Sequence, residues 1–301
     1  MVRKNLLLLI VIVFLPVGVF SQETKILSQT IRGQVSDKES QTNYKHSQDS
    51  ISITYIANAG FLVEMNDKKI VFDAFFEEGF GKYDCPDSNM IFQMKNNLPP
   101  FNNIDYIFVS HYHGDHVDAL LLTEYLMNNR HIRLFCPEQV NQILKEDSLK
   151  YQLIKKQIVR MTPDTNSYKK NEYDDITVTA CRLWHGKKEN NDIENIGFII
   201  EYKNRCIFHS GDATLADFNG VNGYLANCNI DVAIIHNTFA SINLLDKTDS
   251  LVNADNYIFM HLTKEYAKMF YTYFTKNPNV ISNPYIFLEA MERRTYFFNI
   301  N

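Results

Sequence analysis

The sequence predicts an α/β or α+β protein in which helices cover β-sheets. Three observations carry this. Short strand-like runs recur from Ile51 onward, some joined as hairpins by polar turns. Segments of helical spacing stand between them. Five of the strands end next to a histidine or an aspartate, at the sheet edge where α/β folds place their ligand sites.

The elements follow in order. Arg3 and Lys4 precede an apolar run over residues 6–15, then Pro16, Gly18, Val19 and Ser21, which predicts an export signal over 1–21 cleaved before Gln22. Pro16 and Gly18 keep the run short of the roughly 20 apolar residues a membrane span needs. The expectation is therefore a periplasmic or secreted protein with no stable membrane anchoring after cleavage. Residues 22–50 are rich in Ser, Gln, Thr, Lys and Asp and read as a flexible polar leader. The folded domain is expected over 51–301.

Ile51, Ile53 and Tyr55 alternate with Ser52 and Thr54 as a half-buried strand. Residues 61–65 and 70–72 flank the polar stretch 66–69 as a hairpin. Residues 104–110 form a strand, and Val117, Leu120, Leu121 and Leu126 then keep helical spacing. A strand over 132–136 runs into Pro137, which suits the first turn of a helix carrying Val140, Ile143 and Leu144. In the second half, 176–183 is a strand ending at Trp184-His185, and 196–202 with 205–208 form a hairpin ending at His209-Ser-Gly-Asp212. Strands 231–235 and 257–260 end at His236 and His261, and 264–275 looks helical, its aromatic stretch 269–274 reading as buried core.

Composition narrows the function classes. Hydrophobic residues make up 45% and charged residues 22%, ordinary for a globular domain. A net charge of -5 with no basic block argues against nucleic acid as partner and leaves a small-molecule substrate as the expectation. Five cysteines without a CxxC pair read as structural rather than catalytic.

His111-Tyr-His113-Gly-Asp115-His116 is the chemical centre of the sequence. Four metal-capable side chains fall within one short loop, and imidazole with carboxylate is the ligand set of zinc and related first-row ions. A histidine at 185, an aspartate at 212 and a histidine at 261 follow at later strand ends. His209 and His236 lie on the same edge as pocket-lining or substrate candidates. Trp184 and Tyr112 flank ligand candidates, while His46 and His131 read as surface residues.

HxHxDH at 111–116, followed in order by His185, Asp212 and His261, resembles the metallo-β-lactamase superfamily over roughly residues 51–275. The opening segment 53–64 with Ile70-Val-Phe-Asp73 is similar to the branch of ascorbate-6-phosphate lactonase-like hydrolases. Ala57-Asn58-Ala59 stands where many of that branch carry Gly-His-Ser or Gly-His-Ala. The resemblance implies a four-layer αββα sandwich with its site at the strand-end edge of two central sheets. It implies two divalent ions, zinc by default with manganese or iron compatible. His111, His113 and His185 would hold one, Asp115, His116 and His261 the other, and Asp212 would bridge them. Asp73 and Asn58 join His209 and His236 as candidates that support ligands or meet substrate.

Two adjacent cations bring the pKa of a shared water from about 15.7 towards 7 and stabilise a developing oxyanion. The expected activity is therefore hydrolysis of a small ester, lactone or phosphodiester by a metal-bridging hydroxide, with Asp115 orienting the nucleophile and shuttling a proton. Two alternatives stand beside it: a mono-iron sulfur dioxygenase, and a metal-retaining protein without turnover. Di-iron electron-transfer members resemble HxExDH, and His113 occupies the position of their glutamate, which weighs against that class.

Overall fold

Alternation along each strand sorts the apolar residues into three cores, and these define the layers. The computed structural model describes residues 49–186, 192–214 and 221–298. Its first half contributes β1 (Asp49–Ala57), β2 (Gly60–Met65), β3 (Lys68–Phe72), β4 (Tyr106–Phe108), β5 (Arg133–Cys136) and β6 (Ile158–Arg160). The second half contributes β7 (Tyr168–Tyr173), β8 (Ile176–Leu183), β9 (Asn195–Tyr202), β10 (Arg205–His209), β11 (Val232–His236), β12 (Tyr257–Met260), β13 (Pro284–Tyr285) and β14 (Arg293–Phe298). They build two seven-stranded sheets, ordered β14-β1-β2-β3-β4-β5-β6 and β13-β12-β11-β10-β9-β8-β7.

Ile51, Ile53, Phe61, Phe72 and Phe108 of the first sheet cluster with Val178, Phe198, Ile207, Ile234 and Ile258 of the second. This is the seam between the sheets. The intervening residues Leu62, Val71, Ile107 and Leu134 face the other way, onto Met90, Met94, Leu121 and Tyr125 of helices Ser88–Lys95 and Ala119–Asn128. On the far side, Phe208, Ala233, Ile235 and Phe259 pack on Leu245, Val252 and Phe274 of helices Leu245–Val252 and Lys264–Lys276. Three stacked cores require four layers, so the αββα sandwich stands. Each fully buried Leu, Ile or Phe stabilises it by roughly 1.5–3 kcal/mol.

The two sheets are built alike. Antiparallel strands come first, then β3 through β6 and β10 through β13 pair in parallel, each with a chain crossover. Parallel strands point their C-terminal ends to the same edge, and this edge collects the site. Lys203 and Asn204 both take positive φ (46° and 63°), the type I′ geometry that matches strand twist in the β9–β10 hairpin.

Several expectations are corrected in detail. Asp49 and Ser50, assigned to the leader, already pair with Phe298 and Phe297 in β1–β14. The strand expected over 104–110 shortens to Tyr106–Phe108: the Val109 amide still bonds the Phe135 carbonyl at 2.9 Å, and the Ser110 amide then turns from the sheet to Asp73. Pro137 is the residue before helix Glu138–Leu144 rather than its first turn. The stretch 269–274 is core on one side only: Phe274 is buried, whereas Met269 and Tyr271 are exposed. The five cysteines are free thiols, with Cys136, Cys181 and Cys206 buried in the strands. The export signal, most of the leader and His46 lie outside the described residues.

Candidate metal centre

The loop after β4 is one tight turn. The amides of His116 and Val117 both bond the His113 carbonyl (3.0 Å each), which folds the chain back on itself. Asp118 then caps helix Ala119–Asn128 by accepting from the Leu121 amide at 2.7 Å. Between those constraints, His111, His113, Asp115 and His116 point into one space.

The other strand ends close around it. His111, His113 and His185 form one group of potential ligands, and Asp115, His116 and His261 a second. Asp212 lies between them. Its Oδ2 is 3.9 Å from His111 Nε2, 3.4 Å from His185 Nε2 and 3.2 Å from His261 Nε2, while Oδ1 is 3.3 Å from His116 Nε2. All seven residues that the sequence nominated as ligands lie in this cluster, where His111, His116 and Asp212 also come together. His236 adds itself to it, within reach of Asp212 and His261.

Asp212 reaches this place because of Gly211. That residue has φ +54°, and a Cβ there would lie 2.3 Å from Asn195 Oδ1 and 2.8 Å from Ser110 Cβ. Asn195 fills the space instead, accepting the Asp212 amide at 2.9 Å. His261 also takes left-handed backbone (φ +59°), held by its amide to the Asn58 carbonyl (3.3 Å) and by the Asn237 side chain on its own carbonyl. Such conformations persist where surrounding contacts over-determine them.

Asp73 governs the histidine tautomers. One carboxylate oxygen accepts the Ser110 amide at 2.7 Å; the other accepts Ser110 Oγ at 2.6 Å and His116 Nδ1 at 2.9 Å. Because Ser110 spends its proton on Asp73, it must accept from His111 Nδ1, 2.9 Å away. Both rings thus carry a proton on Nδ1 and aim Nε2 at the cluster. This is the carboxylate–histidine arrangement that fixes metal ligands.

The donor set fits cations. Nε2 of His111, His116 and His185 and Oδ1 of Asp212 are buried with no hydrogen-bond partner among the described residues. Each such orphan costs about 1–3 kcal/mol if nothing compensates. Burial disfavours ionised Asp212, yet the His261 and His116 rings hold its carboxyl well below the usual carboxylate range. Burial also opposes charge on His116, but Asp212 and Asp73 raise it well above an ordinary histidine. His111 moves the opposite way, lowered by burial and by its neighbour His116. Converging lone pairs around a retained carboxylate are what a divalent ion requires.

The remaining candidates separate. Asn58 is buried, and its Nδ2 donates to the Asp115 carbonyl (3.2 Å) and to Asp115 Oδ2 (3.1 Å), so it positions that carboxylate. His209 is fully buried. Its Nε2 bonds the Ala59 carbonyl at 3.1 Å, its Nδ1 accepts the Gly211 amide at 3.2 Å, and its ring stacks on Phe72. His236 does face open space, lining a cavity of about 330 Å³ together with His261. Burial pulls its pKa down to about 4. A larger cavity of about 600 Å³ lies at the β9–β10 hairpin, lined by groups such as Lys170, Lys203 and Arg205 and by none of these histidines. Chemistry, not volume, marks the site.

Sequence reading missed Ser110, Asn195 and Asn237. Ser110 had a signal, since it directly precedes His111; the two asparagines had none, because their value is purely spatial.

Fold and site together define an αββα protein with a cluster of potential His and Asp metal ligands at the sheet edge. The chain belongs to the family described as Beta-lactamase superfamily domain, which matches residues 68–265. Among solved structures it is similar to Igni18, a metallo hydrolase from Ignicoccus hospitalis (TM-score 0.60, 16% identity, covering 83% of this chain and 100% of that one). It is also similar to a possible metal-dependent hydrolase from Veillonella parvula (TM-score 0.56, 14% identity, 81% and 98% covered). CmlA, a diiron β-hydroxylase from Streptomyces venezuelae, shares the fold too (TM-score 0.52, 12% identity, 84% of this chain and 54% of that one). No curated protein sequence matches.

Proposed function

We propose that this protein is a metal-dependent hydrolase acting on a small ester, lactone or phosphodiester. The observation that carries the reading is the buried convergence of unpartnered His111, His116 and His185 Nε2 atoms on Asp212. His111, His113 and His185 would hold one ion, Asp115, His116 and His261 the other, with Asp212 common to both. Bound there, the pair supplies a hydroxide nucleophile near neutral pH and electrophilic stabilisation of negative charge.

The protein's own residues do the rest. Asp73 keeps His111 and His116 in the tautomer that presents Nε2. Asn58 pins Asp115, whose carboxylate also lies 3.2 Å from His261 Nε2. Asp115 so held orients the attacking group and passes a proton to the leaving group. His236 stands at the open side, where substrate enters.

Zinc is the default ion for this ligand set, with manganese and iron compatible. Elemental analysis decides between them. A panel of lactones, phosphodiesters and β-lactams on metal-loaded protein tests the activity, with lactones included for the resemblance over residues 53–64. Oxygen uptake with thiol substrates tests the sulfur dioxygenase alternative. His113→Ala and Asp212→Ala are expected to abolish metal loading and turnover together. Full activity in metal-stripped protein overturns the proposal. Export is inferred from residues 1–21 alone, and N-terminal sequencing of the mature protein, expected to begin at Gln22, tests it.

A further inference from the structure

We infer that the cavity beside His261 selects substrates whose apolar body carries a negative group, and that Lys82 reads that charge; the inference rests on the hydrolase reading above. The cavity opens directly on His236 and His261, so whatever fills it lies against the candidate metal centre. Its walls are Tyr83, Leu262, Tyr266 and Phe270, and Lys82 stands with them. Among the described residues no carboxylate lines the cavity and Lys82 makes no ion pair. The neighbouring cation, Lys264, is already spent on Asp84 at 3.2 Å.

The two walls are held in place. Lys82 and Tyr83 both donate their amides to the Gly79 carbonyl (3.0 and 2.9 Å), a tight turn that fixes their direction. The Tyr83 ring packs on His261 with centroids 4.1 Å apart, which ties this turn to the cluster. Asp84 then staples the turn to helix Lys264–Lys276, whose Tyr266 and Phe270 face it across the cavity. Lys82 Nζ lies 4.8 Å from the Tyr83 ring centroid, so its charge is presented at an aromatic surface. An aryl or branched alkyl group between the tyrosines and Phe270 would bring its anionic substituent to Lys82 while its scissile bond reached His261. About 330 Å³ suits a fragment of that size.

The test is binding, so it does not depend on turnover. Zinc-loaded protein is titrated with 4-methylbenzoate and with neutral 4-methylbenzamide. Wild type is expected to prefer the carboxylate by about fivefold, the upper range for a partly exposed ion pair. Lys82→Ala should shrink that preference to below about twofold and Lys82→Glu should reverse it, whereas Tyr266→Ser should weaken both probes by a common factor. Equal wild-type binding overturns the inference, and so does a preference that survives Lys82→Ala, which would assign the carboxylate to the metals. A protein with the expected preference that hydrolyses no ester keeps this pocket and loses the hydrolase reading. An active hydrolase without the preference does the reverse.

Discussion

Replacing Asp73 by asparagine isolates what a carboxylate does behind two histidines. The side chain keeps its shape, but one of its two acceptor oxygens becomes an NH₂ donor. Turned towards the amide of Ser110, the new group meets an N–H that has no other acceptor. Turned the other way, it meets His116 Nδ1 and Ser110 Oγ. The less costly arrangement moves the His116 proton to Nε2, the atom aimed at Asp212. A lost charge-assisted hydrogen bond at a buried site is worth about 1.5–3 kcal/mol. Outer-shell substitutions at metal sites cost roughly 10–100-fold in affinity, or about 1.4–2.8 kcal/mol. The two estimates agree. Competition against a chelator of known affinity should therefore show Asp73→Asn binding zinc about 10–100-fold more weakly. Urea unfolding of the metal-free proteins should show a loss of similar size. A folded variant that holds zinc as tightly as the parent would refute the tautomer argument.

Other outcomes follow from the same geometry. Burial opposes charge on His116, but Asp212 and Asp73 raise its pKa, so protons compete increasingly with an ion for its Nε2 as pH falls. Metal affinity should then fall as pH drops and binding should release protons, both measurable by calorimetry in buffers of different ionisation heat. Gly211→Ala places a Cβ 2.3 Å from Asn195 Oδ1 at positive φ, and should destabilise by more than about 1 kcal/mol in urea titrations as well as weaken metal binding. Asn58→Ala leaves Asp115 without its amide donor; kcat should fall while zinc content stays near that of the parent, which elemental analysis and steady-state kinetics would separate.

The sequence revealed the parts of the fold that periodicity encodes. β8, β9, β10 and β12 were visible because apolar runs ended at polar turns or histidines. β7 (Tyr168–Tyr173) was not, since YKKNEY is mostly exposed edge strand and resembles a loop in composition. β14, rich in arginine, was equally hidden, because only its pairing with β1 makes it a strand. At the site, ligand type and strand-end position exposed all seven ligand candidates. His209 ends a strand as the ligand candidates do, but its two nitrogens are engaged by Ala59 and Gly211. Lys82 and Tyr83 were missed because they sit on a long connection with no period, brought to His261 only by the turn at Gly79.

The pairing of β14 with β1 sets an order of events during synthesis. Asp49–Ala57 is made well before Arg293–Phe298, yet one of its two edges finds its partner only in that strand. Until then the first sheet carries an unsatisfied rim of amides and carbonyls, the kind of edge that recruits stray strands. Loss of Arg293–Phe298 would thus leave the candidate metal ligands intact and still yield a protein prone to self-association.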